Sequence, residues 1–439
     1  MASSPRQMHL NYFHYPTGHH ESAWRLPESD SAYACTAAYH VATAKIAEAA
    51  CFDSIFLAHT SAAMALGNTN IALMWDPALI LATMGAHTQH IGLIGTMSTS
   101  FIAPYDLAQK FRTLDQLTDG RAGWNIITSS TDGEAQNFNM EHMPSSEERY
   151  RRADEFVELC NKLWESWEPD AMVMDKETGV FADMAKVHAV DHRGPSFSVK
   201  GPLHLPSSPQ RRPLLVQAGS SEQGRDFAAK HADAIFTIQP LLEDAIAFYA
   251  EMQKRFAQHG RPERAARILP GLAPVLGATE AEARRNYAEL SALVLPEKGL
   301  EMLKSWLGMD FSSLPLDGPV PPLADASTYD HVSRAKVVID FVARNNPTLR
   351  ELAAMIAGGR GHHVFVGTAE QLADEMETWV AQGAADGFNV MPLLLPRGLV
   401  DFAHQVIPIL QDRGLFRTEY EPGTLRERYG ATTAVAVGA

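Results

Sequence analysis

Short apolar runs alternate along this chain with longer segments of good helix formers, and that alternation sets its fold class. Met8 to His14, Phe52 to Leu57, Ile91 to Gly95 and Arg121 to Ile127 read as strands, being too short for helices and bounded by turn or polar residues. Tyr33 to Ala50, Asp76 to His87, Pro104 to Leu117 and Tyr150 to Trp167 read as the intervening helices. Asp76-Pro77 places proline where a helix tolerates it, in the first turn, and Asp119-Gly120 supplies a stop. The second half repeats the pattern with strands at Leu214 to Gln217, Ala234 to Ile238, Ile268 to Val275 and Asp386 to Val390. Its helices are Glu222 to His231, Leu241 to Phe256, Thr279 to Leu293, Thr368 to Gln382 and Leu399 to Leu410. Eight strand-then-helix units imply parallel pairing with right-handed crossovers and predict a closed (β/α)8 TIM barrel. An open doubly wound sheet would want a glycine-rich turn after the first strand, and no G-x-G-x-x-G motif stands there.

Three stretches interrupt the period, near 129–149, 167–212 and 295–367. The last contains Leu314-Pro315-Leu316-Asp317-Gly318-Pro319-Val320-Pro321-Pro322, which excludes regular helix or central strand over that run. These stretches read as long loops and hence as lid material over a barrel mouth. The terminal residues 431–439 are small and featureless, and are expected to fray.

Charge and cysteine usage narrow the partners. The formal charge is −15 with no Lys/Arg-dense block, which argues against nucleic acid and anionic membranes. No basic segment followed by an apolar one opens the chain, and no apolar run reaches the length of a bilayer span. Cys35, Cys51 and Cys160 are odd in number, widely spaced and outside any C-x-x-C pattern, which suits a reducing, cytoplasmic setting.

In such a barrel the chemistry is carried by loops at the carboxyl ends of the strands. Gln217-Ala218-Gly219-Ser220-Ser221 follows the apolar run Pro213 to Val216 and opens a helix. That turn sets backbone N–H groups and two hydroxyls at a positive helix terminus, a place for a phosphate. Taken alone it needs no ligand, because serine caps helices. His19 and His20 fall just beyond the first strand, His59 beyond the second, and His362 and His363 beside Val364-Phe365-Val366. They lack the H-E-x-x-H or paired ligand spacing of a metal site, so the rim reads as protonatable groups or structural histidine, with no metal expected. Phe13, Tyr15, Trp24 and Phe56 read as barrel-top packing or as walls for a flat ring. Thr96-Met97-Ser98-Thr99 and Asn125 add hydroxyl and amide groups at the same end.

Phe52 to Ala58, Gly95 to Thr99, Pro104 to Ala108, Gly120 to Ser129 and Gln217 to Ser221, in this order, resemble the bacterial luciferase-like flavin monooxygenases. The branch indicated is that of nitrilotriacetate, EDTA, dibenzothiophene-sulfone and long-chain alkane monooxygenases, and the resemblance runs from Leu10 to about Leu410. It implies one barrel domain over residues 1–439 and a two-component reaction. Reduced FMN (FMNH2) arrives from a separate NAD(P)H:flavin reductase, dioxygen is activated on it, and a small organic or xenobiotic substrate is oxygenated. The protein then mainly binds, orients and excludes water. Residue by residue, Ser220 and Ser221 match phosphate-binding serines, Tyr150 a tyrosine that reaches the phosphate, and Thr96 a flavin-contacting threonine. Asn125 lies on the strand beneath the ring, and His20 matches a histidine near the site of oxygen activation. Two flavin-edge positions depart from the pattern: His59 stands where the family has Asp, and Ser146 where it has His. A homo-oligomer is implied as well. Two other readings compete with this one. A sister branch transfers hydride with a deazaflavin, and some members are poorly active partner subunits of a heterodimer.

Overall fold

The structure is a computed structural model that describes residues 7–62, 74–219, 221–329 and 332–431. Its centre is a closed, all-parallel barrel. The strands are β1 (His9–His14), β2 (Ser54–Leu57), β3 (Gly92–Ser98), β4 (Ala122–Ile127), β5 (Leu214–Gln217), β6 (Ala234–Thr237) and β7 (Arg267–Leu276). After them come β8 (His363–Gly367) and β9 (Gly387–Val390). Strands β1 to β7 pair in sequence order, β9 joins β7 at Gly271↔Asn389, and β9 closes on β1 through His9↔Gly387 to Tyr12↔Val390. The eight-strand barrel expected from the pattern is therefore present. Strand β8 is an addition, paired only with the carboxyl half of β7, Leu272 to Leu276.

Strand residues alternate between two cores, because successive side chains leave a strand on opposite faces. Phe13, Phe56, Ile94, Leu214, Val216, Phe236 and Leu269 fill the barrel interior. Leu10, Tyr12, Ile55, Leu93, Trp124, Ile126 and Leu215 face the surrounding helices. Helices α1 (Ala37–Ala49), α2 (Pro77–Gly85), α3 (Pro104–Leu117) and α4 (Ser146–Glu165) cover the first half. Helices α5 (Glu222–His231), α6 (Leu242–Gln258) and α7 (Glu280–Ala292) cover the second. Caps fix where they start: Asp76 accepts from the Ala78 and Leu79 amides ahead of α2, and Ser145 accepts from the Glu148 amide ahead of α4. Because of that Ser145 cap, α4 begins at Ser146 and not at Tyr150.

The barrel's amino-terminal end is plugged by the end of the chain. Leu425 and Tyr429 enter the interior core, and the Tyr429 hydroxyl donates to Asn11 Oδ1 at 2.5 Å. Arg417 pairs with the buried Asp53 at 2.6 Å. A Cβ at Gly92 would meet Leu425 Cδ1 at 2.5 Å, so the plug seats because that position is glycine.

Several expectations are corrected. The stretch 295–367 is mostly helical. It forms α8 (Pro296–Leu307), α9 (Val332–Asn345) and α10 (Leu349–Gly359) around their own core of Leu303, Trp306, Phe311, Val338, Leu352 and Ile356. Its Pro-rich run is irregular, as expected, but ordered against α10: the Leu349 and Arg350 amides donate to the Gly318 and Leu316 carbonyls. The stretch 167–212 carries two short antiparallel pairs, Met172–Asp175 with Val180–Ala182 and His192–Arg193 with Ser198–Val199. Thr36 splits the first predicted helix, capping α1 after a 3-10 turn at Tyr33–Cys35. After α11 (Ala369–Ala381) and β9, the closing helical segment spans 397–412 and widens to a π-helical turn at Phe402–Val406, just ahead of Pro408. Residues 432–439 of the tail lie outside the described residues.

Closure makes a specific demand. Gly387 has φ +152°, and a Cβ there would overlap the His9 carbonyl oxygen. Gly387→Ala is expected to cost about 3 kcal/mol or more of unfolding free energy, by urea titration. Gly260→Ala, at φ +66° with nothing nearby, should cost about 1 kcal/mol. Equal losses at the two positions would contradict this account of closure.

Candidate active site

The carboxyl ends of the strands gather polar side chains around an aromatic floor. Phe13, Phe56 and Phe236 form a triangle, with centroids 4.9 Å (13–56), 5.4 Å (13–236) and 5.5 Å (56–236) apart. On one side, Thr96 and Asn125 are register partners on β3 and β4, both buried and both inward-facing. Asn125 Nδ2 donates to Thr96 Oγ1 at 2.8 Å, which leaves the buried Asn125 Oδ1 without a partner. Such an orphaned acceptor costs free energy unless something supplies a donor.

Next to this pair lies the β5–α5 turn. Ser221 is the N-cap of α5, accepting from the Gly224 amide at 3.1 Å, and Gln217 Oε1 accepts from the Gly219 amide at 2.7 Å. The Tyr150 hydroxyl from α4 reaches the same spot. A Cβ at Gly219 or at Gly224 would stand 2.8 Å from that hydroxyl, so the two glycines make the approach possible. Burial pushes the Tyr150 phenol above its usual range, opposed by hydrogen bonds with Ser221, Thr128 and Gln217. Tyr150 and Ser221 are thus brought together as expected. Ser220 lies outside the described residues. Ser146 stands one turn before Tyr150, partly exposed.

The His59 side holds a group that sequence reasoning missed. Glu134 is buried, and its Oε1 accepts from Thr60 Oγ1 (3.2 Å), the Ser61 amide (3.3 Å) and Ser129 Oγ (3.1 Å). It ties the β2 loop to the β4 loop. Thr131-Asp132-Gly133-Glu134 has capping-box spacing, which signals a helix start but not that this carboxylate serves two other loops. His59 is half-buried, and burial lowers its pKa against the pull of Asp76 and Glu134.

His20 sits on the opposite side, in the loop after β1. That loop is clamped by backbone bonds from the His20 amide to the Leu393 carbonyl and from the Glu21 amide to the Ala357 carbonyl. His20 Nδ1 accepts from the Ser22 amide at 3.1 Å, so the ring proton belongs on Nε2. Nε2 is buried and has no partner. Burial, then the Arg360 charge, pushes the His20 pKa down to about 3. His362 stacks on Phe236 at 5.2 Å and 6°, and its Nδ1 is likewise buried and unpartnered. Burial, then Arg334 and Arg360, holds His362 at about 3. Among the aromatics singled out in the sequence, Tyr15 is buried beneath the Arg360 guanidinium, 4.7 Å from its ring centroid. Trp24 is 38 % exposed and forms no part of the floor.

Comparison with known proteins gives a consistent family. The profile of the family described as luciferase-like monooxygenase matches residues 13–386. An N-acetyl-S-(2-succino)cysteine monooxygenase of Bacillus subtilis is 44% identical over 98% of this chain and 98% of its own. Nitrilotriacetate monooxygenase component A of Aminobacter aminovorans is 39% identical over 97% of this chain and 96% of its own. The solved structure of a riboflavin lyase with modified FMN and riboflavin superposes with a TM-score of 0.85 at 31% identity, over 97% of this chain and 96% of that one.

The buried histidines make stability pH-dependent. His14, His19, His20, His40 and His362 all have pKa values lowered by burial, with His40 held at about 4. Below the ordinary histidine value of 6.5 the unfolded chain therefore binds protons that the folded chain does not, and stability falls as pH drops. Each such histidine contributes a slope on the order of 1 kcal/mol per pH unit. Urea midpoints should fall steeply from pH 7 to pH 5, and His362→Gln should flatten that limb; a midpoint constant over this range would refute the assignment.

Proposed function

This chain belongs to the luciferase-like monooxygenase family of flavin-dependent enzymes, and we propose that it is the oxygenating half of a two-component system. In this reading it takes reduced FMN from a separate NAD(P)H:flavin reductase and places one atom of dioxygen in a small organic substrate. The observation that carries the reading is the junction of Tyr150 with the Ser221-capped first turn of α5. A hydroxyl from each of two elements at a helix amino terminus is a phosphate seat, and the partner-less Asn125 Oδ1 is an acceptor suited to a flavin ring N–H.

The residues present therefore fit the cofactor. Ser221, Tyr150 and, by its place in the sequence before Ser221, Ser220 would hold the phosphate. Thr96 and Asn125 would meet the ring, with His59 and Ser146 near its edge. When bound, reduced flavin supplies the two electrons that divide dioxygen between substrate and water. The chain's own contribution is positional and protonic. The apolar floor excludes water from the mouth, which strengthens every remaining polar contact. His20, neutral at working pH, keeps a proton on a buried Nε2 and so offers a hydrogen-bond donor there without introducing a second positive charge beside Arg360.

The direct test incubates the purified chain with FMN, NADH, a generic flavin reductase and a substrate panel, following oxygen-dependent product by mass spectrometry. No product with FMN, but hydride transfer with a deazaflavin, would replace this reading. Tyr150→Phe with Ser221→Ala should weaken FMN binding by about 1–3 kcal/mol, roughly fivefold to a hundredfold, by loss of charge-assisted hydrogen bonds. His20→Ala should reduce oxygenation much more than FMN affinity; equal effects on both would remove His20 from the chemistry.

A further inference from the structure

The barrel mouth continues outward into a cavity of about 370 Å³ between the 295–367 insertion and the β6 and β8 loops. Val337 and Phe341 of α9, Met355 of α10, and Leu241 give it apolar walls, and His362 lines its inner side. His362 thus belongs to two spaces, since its other contacts are Phe236 in the barrel floor and Gly271 of β7. A Cβ at Gly271 would overlap His362 Nδ1, so the ring rests where it does because β7 carries glycine there.

Arg334 stands one turn before Val337 on the same face of α9. The face of its guanidinium lies over the Trp306 ring, 4.5 Å from the centroid. Among the described residues it makes no ion pair and no side-chain hydrogen bond. That is unlike the chain's other enclosed arginines. Arg121 donates five hydrogen bonds, Arg212 pairs with Asp233, Arg417 with Asp53 and Arg360 with Glu21. Its charged surroundings make the solitude costly. Protein packed around it removes hydration, and Arg360 repels it, so its pKa is lowered to about 10. No carboxylate is among the charges that act on it, and Asp340, on the cavity wall, pairs with Lys336. Yet Arg334 keeps part of its surface accessible, so a solute can reach it.

A guanidinium left without a counter-charge one helical turn from the wall of a largely apolar cavity, in a chain of net charge −15, is a site waiting for an anion. His362 ties the arginine to that space, since its ring lines the cavity and lies close enough to feel the Arg334 charge. We propose that Arg334 is the substrate-recognition residue of this enzyme and that the substrate carries a carboxylate, paired with the guanidinium while its apolar stem lies along Val337 and Phe341 past His362. This rests on the reading of the mouth as a flavin monooxygenase site and adds the chemical class of its substrate. Arg334 touches substrate and not the reacting oxygen, so its loss acts on affinity.

Calorimetric titration tests it, with the full chain alone and with FMN, and with wild type, Arg334→Lys and Arg334→Leu. The probes are succinate, nitrilotriacetate and N-acetyl-S-(2-succino)cysteine, with dibenzothiophene sulfone as the uncharged comparison. At least one carboxylate should bind wild type at millimolar concentration or below. Arg334→Leu should weaken that binding tenfold or more, Arg334→Lys should weaken it less, and neither should change sulfone or FMN binding. Arg334→Leu should also keep its melting temperature within a few degrees, since an unpaired charge is being removed. Wild type that binds none of the carboxylates, or Arg334→Leu that binds them as wild type does, overturns the proposal. A lowered melting temperature with unchanged carboxylate binding makes Arg334 structural and overturns it too. Carboxylate binding without FMN binding would sink the cofactor reading and leave this subsite standing.

Discussion

The molecule depends on one seam, the parallel pairing of β1 with β9. The other barrel pairings follow the order of the chain, whereas the seam joins the first and last barrel strands and has to fit last. It is made by backbone approach at Gly387, where no side chain fits, and by four register pairs from His9↔Gly387 to Tyr12↔Val390. The seam carries Phe13 into the aromatic floor and sets the His20 loop against Leu393 just after β9. It also holds Asn11, on which the Tyr429 plug closes. Floor, imidazole rim and plug therefore share a single geometric condition.

Around the mouth, polar and charged groups are distributed unevenly, and the unevenness has chemical content. The β3–β5 side offers neutral groups and a helix amino terminus: Thr96, Asn125, Tyr150 and Ser221. The β1 and insertion side offers arginines and imidazoles, with the arginines helping to keep the imidazoles neutral. In the proposed reading, the first side suits the anionic tail and electron-rich ring of the cofactor, and the second an acidic substrate. An overall acidic composition hides this local basic patch, because the patch is assembled from residues distant in the chain: Arg334, Arg360 and the loop after β1.

How much of this was legible in the sequence follows from how local each signal is. Strands β1 to β7 and β9 announce themselves as short buried runs, and inward-facing positions such as Thr96 and Asn125 follow from the two-residue period. The Tyr150–Ser221 meeting was accessible only through resemblance, since no spacing rule relates α4 to the β5–α5 turn. The insertion read as loop because prolines at 315, 319, 321 and 322 dominate its middle, whereas its flanks carry helices that stabilise one another through Gly299 packed on Ala353. Trp24, expected as barrel-top packing or as a wall for a flat ring, lies at the surface, because the loop after β1 turns it outward beyond the buried Ala23. Glu134 and Arg334 escaped for opposite reasons. The spacing of Glu134 from Thr131 signals only a helix start, and the meaning of Arg334 lies in a partner that is missing, which a linear pattern does not record.

The placement of the seam also governs how the chain comes into being. β1 is made before the other barrel strands, and its second neighbour, β9, is made after all of them. Until then one edge of β1 presents unpaired backbone groups beside Leu10 and Tyr12, a template open to any passing strand. The plug that seals the opposite end emerges later still. Closure of the barrel thus waits on a pairing between the two barrel strands farthest apart in the chain.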